Sequence, residues 1–295
     1  MDSLLSVGLP LVAGFIFALG ALFSKRGFEE GVGTTRTLFL GNIMMGLIVG
    51  PIGFFAGAPP DMETWWAPLV CAFLFWLGQL FSFLAIRVGD VSVMTPVMGT
   101  KVVMVALGSA YLFKVEVTWI QWVGAALTAA AIFLMGVGDF GKAKGTLPAI
   151  GFALLASVTY GLTDSMVSVY AAGFGELKFL SFMFLYLALF SYALVPLFRE
   201  PLKAIRPAAW PWVLGGAFLL AFQAMIMGIR LSFFQDATLA NIFYSSRGLW
   251  SLVLVFAVGA WFGLKEAGNG KKVYIWRGSG ALLLTAAIVM VLMVD

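Results

Sequence analysis

A chain of 295 residues that is 62% hydrophobic and 11% charged, with a mean hydropathy of +1.01, lacks the polar surface to coat a water-soluble globule, in which roughly 25% of residues are charged. The formal net charge of +4 comes mostly from Lys and Arg in short connections between apolar runs, so it reads as a device for orienting the chain in a lipid bilayer and not as a nucleic-acid surface. With no histidine and one cysteine, Cys71, the chain has no intrachain disulfide and offers little to a zinc site or to histidine-based catalysis.

The apolar residues fall into ten runs long enough to cross a bilayer as helices, with no strand-like alternation of the barrel kind. The first, 5–24, follows Met1-Asp2-Ser3, which lacks the basic start of a cleavable signal peptide, and reads as a retained helix. Spans at 37–57 and 66–87 come next. The fourth, 91–113, follows through a tight Val88-Gly89-Asp90 turn, and 118–138 completes a first half, 1–140. The second half, 141–295, holds spans at 147–172, 178–198, 209–230, 237–264 and 275–294. The expected fold class is an all-α polytopic membrane protein with no soluble domain.

Orientation follows from the connections. Thirteen Lys and Arg lie on one side (among them Lys25, Arg36, Lys142, Lys144, Lys265 and Arg277) and three on the other: Lys114, Lys178 and Arg230. The basic side is expected in the cytoplasm, with both termini outside an inner (plasma) membrane.

The halves share landmarks in the same order. Trp122-x-Gly124 matches Trp276-x-Gly278; Ala72-Phe73, Gln79 and Ile86-Arg87 match Ala217-Phe218, Gln223 and Ile229-Arg230; Asp90 precedes Lys101 by eleven residues, as Asp236 precedes Arg247. These separations are all close to half the chain, which points to a duplication. Five helices per unit is odd, so the second unit inserts upside down. The result is an inverted repeat, an architecture suited to alternating access.

Two segments carry a resemblance to a known family: Ile86-Arg87-Val88-Gly89-Asp90-Val91-Ser92-Val93-Met94-Thr95-Pro96, and Leu112-Phe113-Lys114-Val115-Glu116 leading into Trp119-Ile120-Gln121-Trp122-Val123-Gly124. With the two five-helix halves, these resemble the drug/metabolite transporter superfamily in its ten-helix EamA-like form. The resemblance implies secondary transport through a central cavity and leaves the cargo open, since such families move amino acids, sugars, nucleotide sugars, phosphorylated metabolites and drugs.

Lys101 and Arg247 are the sharpest candidate site residues. Each lies near the middle of an apolar span, at the same repeat position. A cation at a helix centre costs about 2.5–3.5 kcal/mol on insertion scales. Either the two face one chamber and hold an anion, or each pairs with a buried carboxylate. Asp164 is the clear intramembrane carboxylate, so two cations against one carboxylate leave positive charge for a ligand carboxylate or phosphate. The distantly similar plastid phosphate translocators also place basic residues on corresponding helices, although Ser246-Arg247 stands here in place of their Lys-Arg doublet. Asp164 itself has three readings: a carrier for a coupling proton, a counter-ion for Lys101 or Arg247, or a partner for a substrate amine.

Weaker polar candidates for the same cavity are the repeat mates Gln79 and Gln223, then Tyr244 and Ser251 one turn either side of Arg247, and Asn42, Asn241 and Tyr160; each also suits an ordinary interhelical hydrogen bond. Trp76 is a candidate cavity wall, with Phe75 beside it. Asp90 and Asp236 read as helix N-caps. The chain has no Walker loop, dinucleotide fingerprint, HExxH or CxxC, so neither an enzyme nor a cofactor is expected. The expected function is secondary transport of a small anionic or zwitterionic metabolite. The alternatives are a broad amino-acid or drug exporter with structural charges, and a carrier of an anionic lipid headgroup.

Overall fold

In a bilayer core no water is present to satisfy backbone N–H and C=O groups, so apolar runs of this length must close their hydrogen bonds internally, as helices. The computed structural model describes residues 2–55, 62–88, 97–137, 146–262 and 271–294, and in them the runs are helical. The first half gives α1 (Asp2–Glu29), α2 (Thr34–Val49), α3 (Trp66–Val88), α4 (Lys101–Leu107) and α5 (Trp119–Val137). The second gives α6 (Thr146–Phe174), α7 (Glu176–Ser191), α8 (Trp210–Phe234), the pair α9 (Ala237–Tyr244) and α10 (Arg247–Val258), and α11 (Lys271–Val294). Among the described residues, nine helices are long and apolar enough to span a membrane, and Lys101–Leu112 is a shorter apolar helix. The chain is a multi-pass membrane protein.

Most spans match expectation within a few residues; two depart from it. The fourth is described only from Val97 on and is short. Its final turn, Gly108–Leu112, is a π-helix, and its first residues, 91–96, lie outside the described residues, as do Asp90, Lys142, Lys144 and Lys265. The ninth, expected as one helix, is interrupted at Ser245-Ser246. There the Ser246 N–H reaches back to the Phe243 carbonyl, three residues away, and the Ser245 hydroxyl donates to the Asn241 carbonyl at 2.8 Å. Serine back-bonding of this kind competes with the regular ladder and tightens the turn. Arg247 therefore opens a new helix, as Lys101 does.

The helices pair in a defined order. α1 lies along α8, α3 along α6, and α5 along α11. α2 packs between α7 and α8, and α3 also meets α7. α4 rests on α6, while α9 and α10 rest on α1. Exchanging spans one to five with spans six to ten leaves these pairings unchanged. Glycine allows two of the closest approaches. A Cβ on Gly14 of α1 would sit 2.9 Å from Ser246 Oγ and 3.1 Å from the Arg247 backbone nitrogen. A Cβ on Gly161 of α6 would sit 3.0 Å from Met104 Cβ and 3.1 Å from the Val105 nitrogen.

Polar side chains tie the bundle at both ends. At one, the buried Arg230 donates from Nε to the Ser6 carbonyl at 2.6 Å and stacks over Phe234. Nearby, Asp236 caps α9 by accepting from the Leu239 N–H at 2.9 Å and takes a 2.7 Å hydrogen bond from Gln121. At the other, the buried Arg36 donates to the Val32, Gly31 and Pro201 carbonyls and pairs with Glu200 at 3.6 Å.

Candidate functional site

The breaks before Lys101 and Arg247 put both cations at the start of helices deep in the bundle, where α4, α6, α8 and the α9–α10 turn converge. They share a cavity of about 790 Å³. Of the residues singled out in the sequence, Gln79, Lys101, Tyr160, Asp164, Gln223, Tyr244, Arg247 and Ser251 line it.

The two cations differ in surroundings. Lys101 Nζ lies 2.7 Å from Asp164 Oδ2, and the Asn241 amide donates to that same oxygen at 2.9 Å. The rings of Tyr160 and Tyr244 flank the ammonium, each with its centroid 5.9 Å away. Of the readings left open for Asp164, the structure shows the counter-ion to Lys101. The carboxylate falls to Lys101 because α4 and α6 pack in direct contact, and one cation is left over, in line with the count of two cations against one carboxylate. Arg247 has no carboxylate within 4 Å among the described residues. Its guanidinium carbon sits 4.7 Å from the Tyr244 ring centroid and 4.9 Å from that of Phe17, in an aromatic cradle whose two rings meet edge to face. Its polar contact is with the Tyr244 hydroxyl. A guanidinium has five N–H donors, so among the described residues part of this fork is left for a ligand.

Three expected residues stand behind the wall or away from it. Asn42 and Gln79 exchange amide hydrogen bonds at 2.6 and 2.8 Å, and Asn42 also donates to Ser191 at 2.8 Å, so Asn42 supports the cavity without lining it. Asn241 likewise reaches the site through Asp164. Trp76 does not line the cavity; it stacks on Phe73 and packs into the core, and its neighbour Phe75 takes the lining position. Adjacent helix positions face about 100° apart, so one of the two had to turn away. Phe17, the ring over Arg247, was not foreseen. It lies in an unbroken apolar run with no repeat landmark to mark it. Arg277, expected in a loop, also lines the cavity.

Comparison with known proteins places this architecture. Residues 4–137 match the model of the EamA-like transporter family. Those residues, a little under half of the chain, are similar to that family. An uncharacterized transporter from Archaeoglobus fulgidus is 26% identical over 165 residues, which are 54% of this chain and 57% of that protein. The chain thus matches little more than half the length of that curated relative. A solved crystal structure superposes with a TM-score of 0.67, over 95% of this chain and 98% of the other, at 19% identity. That likeness speaks for the fold alone.

Proposed function

We propose that this EamA-like protein is a secondary transporter of a small anionic metabolite, with Arg247 as the residue that receives the negative group. The observation that carries the reading is a guanidinium facing a membrane-embedded cavity, braced by Phe17 and Tyr244 and without a carboxylate partner among the described residues. A charge so placed is expensive unless it serves a partner, and an arginine fork suits carboxylate or phosphate. Lys101 belongs to the reading as part of a neutral Lys101–Asp164 pair that shapes the cavity. Asp164, engaged by both Lys101 and Asn241, serves as counter-ion and not as a proton carrier in this proposal.

Residues 1–140 and 141–295 form two inverted repeats in this reading, and the cargo sits between them. The exchange-invariant helix pairing supports this, as do the matched breaks before Lys101 and Arg247. Rocking one repeat on the other exposes the site to each side in turn. The basic connections face the cytoplasm across a plasma membrane, with both termini outside.

The test is a thermal-shift screen of purified protein against organic anions, phosphates and amino acids, with wild type beside Lys101→Gln and Arg247→Gln. The proposal expects an anion whose stabilisation is lost in Arg247→Gln. Anions that stabilise wild type and Arg247→Gln equally would remove Arg247 from the mechanism.

A further inference from the structure

We propose that the anion taken by this cavity is an amphipathic monoanion: one carboxylate-sized head on an aromatic or bulky aliphatic body, not a hydroxylated or multiply charged metabolite. This rests on the reading of Arg247 as the anion anchor and goes on to name the substrate class.

Both ends of the Gln79 amide are bound to Asn42. The Tyr244 hydroxyl donates to Gln223 Oε1 at 2.8 Å. Ser251 donates to the Arg247 carbonyl at 2.7 Å, and Ser245 to that of Asn241 at 2.8 Å. Lys101 is held on Asp164. These polar groups are thus satisfied by one another, whereas Ser82 Oγ on the same wall has no hydrogen-bond partner of normal geometry among the described residues. A ligand carrying several hydroxyls would have to break these bonds to form its own, with little net gain, and would leave protein groups unpaired.

The rest of the wall is mostly apolar. Met45, Met135, Met183 and Met227 line the cavity from α2, α5, α7 and α8, and Met98 from just before α4, with Phe75 among them. Methionine is unbranched, flexible and polarizable, so such a wall adapts to apolar bodies of varied outline and favours sulfur–aromatic contacts. A cavity of about 790 Å³ has room for a body of one or two rings.

With Lys101 and Asp164 cancelling, Arg247 contributes a single positive charge in the deep part of the cavity. Arg277 also lines the wall, from the start of α11, and is itself engaged with a neighbour. One head group with one charge matches that count. A ligand amine would have to displace Lys101 from the oxygen it shares with Asn241.

The experiment measures the thermal shift of the full chain in lipid nanodiscs with four matched probes: 3-phenylpropionate, 3-phenylpropionamide, phenylalanine and glucose 6-phosphate. Wild type should gain a concentration-dependent rise in Tm with 3-phenylpropionate and little with the other three. Arg247→Gln should lose the rise, and Arg247→Lys should keep part of it. Should Arg247→Gln fail to fold, the acid-against-amide comparison on wild type still decides whether the head group is read as an anion. Glucose 6-phosphate stabilising as well as the acid, and losing its effect in Arg247→Gln, would overturn the amphipathic class while leaving the anchor. Phenylalanine stabilising more than 3-phenylpropionate would overturn it in favour of a zwitterion whose amine reaches Asp164. A response to the acid that persists in Arg247→Gln would end the anchor reading itself, and no response of wild type to the acid would end the proposal.

Discussion

Lys101 Nζ and Asp164 Oδ2 lie 2.7 Å apart, joining the short fourth span to the long sixth across the cavity wall. The pair fixes how charge is distributed in the bundle, because it consumes the carboxylate that Arg247 would otherwise face.

Removing one partner strands a charge in a poorly hydrated place, which costs about 3–5 kcal/mol. Asp164→Asn and Lys101→Gln should therefore each lower stability in chemical denaturation. The double change Lys101→Gln with Asp164→Asn should be less harmful than the sum of the two single losses, since no lone charge remains. Strict additivity in this double-mutant cycle would show that the two groups do not act as a pair.

Gly14 tests the turn that presents Arg247. A Cβ there would crowd Ser246 Oγ and the Arg247 nitrogen, so Gly14→Ala should push α1 away from the α9–α10 junction, at about 1–3 kcal/mol. Anion-dependent stabilisation should fall with it, because the fork is displaced. Gly8→Ala, with nothing near its Cβ position, is the matched control on the same helix and should be neutral.

Phe17→Leu keeps an apolar side chain but removes one face of the aromatic cradle. A cation–π contact is worth about 0.5–2 kcal/mol, so anion affinity should weaken by roughly two- to thirtyfold. Titration in nanodiscs would measure this, and unchanged affinity would mean that the stacking does not orient the guanidinium.

Asn42→Ala strips Gln79 of both its amide partners and Ser191 of a donor. The unsatisfied buried groups should cost about 1–3 kcal/mol. The released Gln79 amide should also make the cavity more tolerant of hydroxylated ligands, which a repeat of the four-probe comparison on the variant would reveal.

Hydropathy made the spans legible, because a lipid solvent demands long apolar runs, and the boundaries of α3, α5 and α6 follow the sequence within two residues. The repeat landmarks single out Lys101 and Arg247 in the sequence itself. Which cation takes Asp164 depends on how α4 and α6 are rotated against each other, and no linear pattern carries that. The interruption at Ser245-Ser246 had a faint signal in two adjacent serines inside an apolar span, each able to bond back to the preceding turn. Trp76 and Phe75 were indistinguishable by composition, and only packing shows which ring faces the cavity. Phe17 looks like any lipid-facing phenylalanine until α1 is laid against α10.

The most direct measurement is an experimental structure with 4-bromobenzoate bound, the bromine located by its anomalous signal. The account predicts the carboxylate within hydrogen-bonding distance of the Arg247 guanidinium, the brominated ring among the methionines, and the Lys101–Asp164 pair intact. A carboxylate seated on Lys101 with Asp164 displaced, or a bromine site outside the cavity, would contradict it.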